Sequence, residues 1–320
     1  MMISRRPRTD ASLYSLVEDF FRNTFTTDNP LITEAIRRML QAGGKRLRPR
    51  ITLLSAEANG AAAESHLHLA AYMELIHVAT LIHDDVVDNA QTRRGVNATA
   101  VDYGNRISVL AGDYLFAWIF KNVTSQYPHP IPNILSATLA DICDGEVLQL
   151  RALGNLDLAL GAYVEIVMKK TASLFAASAE CGAIMGGGKP LAVKALRDFG
   201  LYYGIAFQMK DDLLDMTADA QSLGKPVGND LAERKITIPL ILALAGADGD
   251  TRGLVERFYA GEDNATTAAV IEGIARCGGL GGTREQIALY ARRAKLSLAP
   301  LENSTAKAEL QRLADALLVE

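Results

Sequence analysis

Proline is absent between Pro49 and Pro128, and again between Pro132 and Pro190. A proline inside a helix costs about 3 kcal/mol or more, so these spans leave room for long unbroken helices. Their wealth of Ala, Leu, Met, Glu and Ile favours the same outcome. From Glu64 to Asp88, apolar residues recur at Leu67, Ala70, Ala71, Leu75, Ile76, Val78, Ala79 and Ile82, close to a 3.6-residue period. The segment is apolar on most sides, so this helix is expected to be central and buried. Further helices are expected over about 105–122, 133–151, 162–185 and 191–216.

Breaks fall at Gly95, Pro128–Pro132, Gly154, Gly186–Gly188 and Gly224-Lys225-Pro226. Strand signals are sparse. Ile236-Thr237-Ile238 runs into Pro239 and reads as a helix entry. Residues 250–320 read as shorter amphipathic helices, with Gly278–Gly282 as a flexible turn. No linker or low-complexity tract forces a domain boundary, so the simplest expectation is one all-α domain over 1–320. Its core would span about 30–250, with C-terminal helices over 250–320.

Hydrophobic residues make up 49% of the chain and charged residues 22%, ample for a large core. The net charge of −4 argues against a nucleic-acid partner, whose footprint is normally basic. Cys143, Cys181 and Cys277 lie far apart, with neither metal spacing nor a disulfide framework. No stretch reaches about 18 uninterrupted apolar residues, so no transmembrane segment is indicated. The basic N-terminus lacks an apolar h-region. A cytoplasmic location is the expectation.

Against this background two acidic motifs stand out, Asp84-Asp85-Val86-Val87-Asp88 and Asp211-Asp212-Leu213-Leu214-Asp215. Asp84 and Asp88 are i and i+4, as are Asp211 and Asp215, so each pair shares one helix face. Both motifs are embedded in apolar sequence, where several carboxylates repel one another unless a cation sits between them. Oxygen ligands without His or Cys select a hard cation. Magnesium takes one or two carboxylates and completes its shell with waters and phosphate oxygens. A phosphate-bearing ligand is therefore implied. Basic clusters to receive it occur at Gly43-Gly44-Lys45-Arg46-Leu47-Arg48, Arg93-Arg94-Gly95, Lys169-Lys170-Thr171, Lys225 and Lys235. Together they suggest two anion sites, one bridged by metal and one purely basic.

In order and spacing these segments resemble those of the trans-isoprenyl (polyprenyl) diphosphate synthases, as do Gly145-Glu146-Val147-Leu148-Gln149 and Gly224–Leu231. The likeness covers about residues 30–250. It implies a large helical bundle of the isoprenoid synthase type around a central substrate cavity. It also implies up to three Mg2+ ions with substrate bound. Asp84, Asp88, Asp211 and Asp215 would be the metal ligands, supported by Asp85 and Asp212. Arg93, Lys170, Thr171, Gln208, Lys225 and Lys235 would meet the allylic diphosphate, whether farnesyl, geranyl or dimethylallyl. Gly44, Lys45, Arg48, His77 and Arg94 would bind isopentenyl diphosphate. The resemblance implies a homodimer as well.

In this family, an aromatic residue about one turn before the first motif blocks growth of the product. Here those positions are Ala79 and Thr80, with Ile76 one turn deeper and Tyr72 below that. A helix rises about 5.4 Å per turn, so small residues there imply several additional isoprene units. The segment Glu74–Thr80 resembles the octaprenyl and heptaprenyl synthases that make quinone side chains. A shorter-chain geranylgeranyl or farnesyl synthase remains the alternative, as does the catalytic subunit of a heteromeric heptaprenyl synthase. Lys210 stands where the family usually has an aliphatic residue. A class I terpene cyclase fits less well, because it needs neither a second Asp-rich motif of this type nor Lys45 and Arg48.

Overall fold

A computed structural model describes residues 10–23, 27–93, 95–218, 227–247, 249–262 and 265–319. The chain forms two compact units, Met1–Asn133 with Ser178–Val193, and Ile134–Ala177 with Lys194–Glu320. The boundary falls within three continuous helices.

The first unit begins with α1 (Asp10–Asn23), α2 (Pro30–Gln41) and α3 (Leu47–Glu57). Asn29 caps α2 by accepting from the backbone N–H groups of Leu31 and Ile32, and Pro30 opens the helix. A single 3-10 turn, Ala63–His66, leads into α4 (Leu67–Val87). This is the expected central helix: it packs against α1, α2, α3 and the later α5. Tyr72, Met73, Leu75, Ile76 and Ile82 on it are at most 2% exposed. After α4 a small antiparallel ladder pairs β1 (Thr92–Arg93) with β2 (Val96–Asn97), in register Thr92 with Asn97 and Arg93 with Val96. Next comes α5 (Thr99–Gln126), whose two helical segments meet at Gly104, where φ is 79°.

The chain continues through α6 (Ile131–Ala152) and α7 (Leu160–Val167) into one π-helical turn, Met168–Ala172, and then α8 (Ser173–Met185) and α9 (Pro190–Thr217). The sequence predicts one unbroken helix over 162–185. The structure inserts the π turn there because glycines let two neighbouring helices press on this backbone. A Cβ on Gly145 of α6 would stand 2.5 Å from the Lys170 amide nitrogen. One on Gly204 of α9 would stand 2.6 Å from the Ala172 Cα. On α9, Phe199, Tyr203 and Phe207 recur every four residues. Phe175 meets Tyr203 at 5.3 Å and Phe207 at 5.4 Å between ring centroids. This ladder fixes the helix directly before the second acidic motif.

Shorter helices complete the second unit: α10 (Asn229–Ala232), α11 (Ile238–Ala245), α12 (Gly249–Ala260), α13 (Thr267–Arg276), α14 (Gly279–Ser297) and α15 (Thr305–Asp315). The helix entry read at Ile236–Pro239 is present, with Pro239 in the first turn of α11. Gly278–Gly282 is not the flexible turn that its composition suggests. Gly278 caps α14 at φ 80°, and the remaining glycines form the helix's first turn. The close approach of α11 demands the first of them, since a Cβ on Gly279 would lie 2.2 Å from the Pro239 carbonyl oxygen. Among the described residues, no helix is long and apolar enough to cross a membrane.

Gly182→Ala is expected to destabilise the fold by about 1–3 kcal/mol, because its methyl group would meet the backbone oxygen of Thr52. Built at ideal geometry, that Cβ stands 2.2 Å from the oxygen. Gly161→Ala on α7 meets nothing within 4 Å and is expected to stabilise by about 0.5–1 kcal/mol. Urea denaturation of both variants checks the pair.

Candidate active site

The first acidic motif occupies the last turn of α4, with Asp88 as the C-cap residue and no basic residue in that turn. Helix carbonyls already make this end negative, so three carboxylates there carry an electrostatic cost. Asp85 is fully buried, and its Oδ1 accepts from Arg93 Nε at 2.8 Å and from a second Arg93 nitrogen. The β1–β2 ladder, turning through Gly95 at φ 79°, carries Arg93 to that position. Asp84 and Asp88 remain half-exposed. Gly112 on α5 lets the His83 ring pack close beside the motif, and the Val109 carbonyl holds the ring Nε2 at 3.1 Å.

In the same unit, the basic loop after α2 is anchored by Arg46, whose place in a basic cluster gives no hint of a structural task. Arg46 is 3% exposed and has φ 45°. Its guanidinium donates to Glu18 at 2.7 Å, to Glu74 at 3.1 Å and to the Leu40 carbonyl at 2.7 Å. It also lies 5.1 Å from the Phe21 ring centroid. Burial pulls its pKa down, but the two carboxylates outweigh that and hold it above the ordinary value. The anchored arginine leaves Lys45 exposed, while Arg48 is 9% exposed in the first turn of α3. Gly44 and His77 are half-exposed. Arg94 lies outside the described residues.

The second motif repeats this division of labour at the C-terminal end of α9. Asp211 is exposed, whereas Asp212 and Asp215 are 3% and 1% exposed. Asp212 Oδ2 accepts from the Tyr163 hydroxyl at 2.6 Å, and its Oδ1 accepts from Gln208 Nε2 at 2.9 Å. Gln208 in turn accepts from the Thr171 hydroxyl at 3.0 Å. Burial holds the Asp212 carboxyl above the usual carboxylate range. The bonds from Tyr163 and Gln208 pull it back down, and the charges of Asp211 and Asp215 add to the rise. Burial likewise pushes the Tyr163 hydroxyl far up, with Asp212 adding to the effect. Asp215 Oδ2 accepts from the Asp230 amide at 3.1 Å, and the Asp215 carbonyl accepts from the Gly228 amide at 2.7 Å. The third aspartate thus ties down the start of α10.

Lys170 sits in the π turn and is held by Gln149 Oε1 at 2.6 Å and by Glu146. Its neighbour Lys169 pairs instead with Asp144 at 3.2 Å. Lys235 pairs with Glu233 at 2.6 Å, and Glu233 also accepts from Asn229 at 2.7 Å. Lys225 lies outside the described residues. Lys210 turns to the end of the chain, where it donates to the carbonyls of Ala316 at 3.1 Å and of Val319. It caps the open carbonyls after α15. The α4 positions before the first motif also separate: Ala79 and Ile76 are fully buried and Tyr72 is 2% exposed, but Thr80 is half-exposed. Tyr72 donates to Gln126 at 3.2 Å and meets Trp118 and Tyr127 edge-on, at 5.8 and 6.3 Å between centroids.

Tyr163 gave no signal in the sequence, being one aromatic residue in an apolar helix. Glu146 and Gln149 were visible in the resembling segment but carried no assigned role. A divalent metal fits the donor set. Among the described residues no three His, Cys, Asp or Glu side chains converge on one point, so no complete protein cage exists. In the first unit Asp84 and Asp88 nevertheless present accessible carboxylates at a helix end without basic residues, and in the second unit Asp211 does the same. Each motif by itself suits a cation that takes few protein ligands.

The polyprenyl synthetase family model matches residues 29–275. A short chain isoprenyl diphosphate synthase of Methanothermobacter thermautotrophicus is 38% identical over 291 residues, 90% of each chain. The octaprenyl diphosphate synthase of Escherichia coli is 39% identical over 261 residues, 81% of each chain. A crystal structure of a polyprenyl synthase from Caulobacter crescentus, complexed with calcium and isoprenyl diphosphate, superposes with a TM-score of 0.88. It is 38% identical, covering 96% of this chain and 93% of that one. The chain belongs to the polyprenyl synthetase family. It is a prenyltransferase, a trans-prenyl diphosphate synthase with the family's all-α fold.

Arg46→Met is expected to cost about 3–5 kcal/mol of stability, because Glu74 would be left buried without its cation. Arg46→Lys is expected to recover only part, since one ammonium lacks the guanidinium's planar fork. Thermal and urea unfolding of the two variants measure both effects.

Proposed function

We propose that the chain is a long-chain trans-polyprenyl diphosphate synthase. It condenses isopentenyl diphosphate stepwise onto a farnesyl, geranyl or dimethylallyl diphosphate primer, and its octaprenyl-range product serves quinone side chains. The observation that carries this reading is the small, half-exposed Thr80, which stands one helical turn before the accessible Asp84. No bulky side chain occupies that step of α4. A geranylgeranyl-range product is the second reading, favoured by the likeness to the enzyme named as short chain.

In this reading Asp84, Asp88 and Asp211, joined by Asp215, hold up to three Mg2+ ions with the allylic diphosphate. Asp85 and Asp212 fix the helix ends. Magnesium, when bound, neutralises charge on the departing diphosphate. Arg93, Lys170, Thr171, Gln208, Lys225 and Lys235 hold that diphosphate while its C–O bond breaks and takes the electron pair with it. Gly44, Lys45, Arg48, His77 and Arg94 hold isopentenyl diphosphate so that its double bond attacks the allylic cation. A carbon–carbon bond forms, a proton leaves the adjacent carbon to the released diphosphate, and the double bond is restored. The apolar walls exclude water that would otherwise quench the cation. We take the working form to be a cytoplasmic homodimer, each chain a single polyprenyl synthase domain.

Incubation with isopentenyl diphosphate, Mg2+ and farnesyl diphosphate, followed by chromatography of the dephosphorylated products, is expected to give chains of about seven to ten isoprene units. Absence of elongation with every allylic primer would sink the synthase reading. Thr80→Phe is expected to shorten the product to about three or four units, one blocked turn below the motif. An unchanged product distribution would refute the placement of the growing chain along this face of α4. Ala79→Tyr is expected to act less cleanly, because Ala79 is fully buried and the larger ring would also overpack the core.

A further inference from the structure

We propose that Tyr163 is a positioning residue for the second acidic motif, setting Asp212 and, through it, the π turn that carries Lys170 and Thr171. This rests on the synthase reading above. The hydroxyl of Tyr163 donates to Asp212 Oδ2, Gln208 donates to Oδ1, and Thr171 donates to Gln208, at 2.6, 2.9 and 3.0 Å. One continuous chain of hydrogen bonds therefore runs from α7 through α9 to the π turn. Tyr163 is 4% exposed and Asp212 3% exposed, so water cannot stand in for a missing link. Both Asp212 oxygens are already taken by protein donors. Asp212 consequently acts on the helix that presents Asp211, while Asp211 itself faces solvent.

The geometry of the π turn gives the chain its leverage. A π turn holds one more residue than an α turn and recurs as a single-turn bulge at functional sites. Glycines at positions 145 and 204 press on its backbone from two sides. Thr171 Oγ to Gln208 Oε1 is the side-chain tie that couples the turn's register to α9. Removing one buried hydroxyl leaves Asp212 with a single donor and lets Gln208 turn. Lys170 and Asp211 then lose their common reference.

The test is Tyr163→Phe, which removes one oxygen and keeps the ring. Its first readout needs no turnover: the rise in thermal midpoint produced by Mg2+ with inorganic pyrophosphate. That rise, read from each protein's own unliganded midpoint, is expected to fall to about half or less; the unliganded midpoint itself also falls, because Asp212 loses a buried donor. The second readout is steady-state kinetics. We expect kcat to drop about tenfold or more, the KM for isopentenyl diphosphate to stay within about twofold, and the KM for farnesyl diphosphate to rise. In an Asp212→Asn background, Tyr163→Phe should add less than about twofold, because both changes cut the same chain.

A wild-type pyrophosphate shift and kcat in Tyr163→Phe would overturn the proposal. So would a loss of unliganded stability with both readouts intact, which marks a purely structural tyrosine, or effects that multiply with Asp212→Asn. Should Tyr163→Phe not accumulate, Asp212→Asn alone must show the reduced pyrophosphate shift, and a full shift there overturns the proposal equally. The shift is read without elongation. A wild-type chain that shows the shift but extends no primer would refute the synthase reading and leave the positioning role of Tyr163 standing.

Discussion

Six carboxylates at the negative ends of two helices are the constraint around which much else in the chain is arranged. Neither α4 nor α9 places a basic residue in its last turn, although both end in Asp-Asp-x-x-Asp. Left alone, such ends would repel their own side chains and the helix carbonyls together. The protein deals with the middle aspartate of each motif internally. Asp85 is buried against Arg93, and Asp212 against Tyr163 and Gln208. The first aspartate of each motif is left accessible. Carboxylates open to solvent are thereby separated from the carboxylates that fix the helix ends.

That separation requires rigid surroundings, and the second unit supplies them through close backbone approach rather than through bulk. Gly145, Gly200 and Gly204 admit neighbouring backbone at distances where any Cβ would clash. The alternating aromatics Phe199, Tyr203 and Phe207 fill the space beside them. Close-packed interiors of this kind transmit small displacements instead of absorbing them. A helix end held so tightly keeps a carboxylate in place against repulsion that would fray a looser one. In the first unit the buried Arg46 has the comparable task, joining α1, α4 and the end of α2 through three acceptors.

Much of this was legible in the residues. The proline-free spans delimit the long helices, and the apolar face of Glu64–Asp88 marks the most buried one. The two acidic motifs could be located, and their pairing with basic clusters pointed to diphosphate chemistry. What the sequence could not reveal depends on partners distant in the chain. The π turn exists because Gly145 and Gly204 bring other helices onto it, whereas local propensity over 162–185 favours an uninterrupted α-helix. Gly278–Gly282 reads as a turn from composition and becomes a helix start because α11 lies against it. Tyr163 looks like any core aromatic until its hydroxyl is seen on a carboxylate. Arg46 looks like one more phosphate-binding cation until its burial shows it facing inward.

Along α4, residues four apart share a face, so Tyr72, Ile76, Thr80 and Asp84 form one stripe. Ala79 belongs to the neighbouring stripe that leads to His83, and the structure buries it completely. A growing chain that starts at a diphosphate held by Asp84 would follow the Asp84 stripe and meet Thr80 first. Deeper along it, Tyr72 is braced by Gln126, Trp118 and Tyr127. Tyr72 also meets Phe20 at 6.2 Å and His68 at 6.4 Å between ring centroids, so moving it would break a hydrogen bond and four ring contacts together. In the proposed reading, smallness at Thr80 would open the path past its first turn. Product length would then follow from packing around one helix face, independently of the carboxylates that hold the diphosphate.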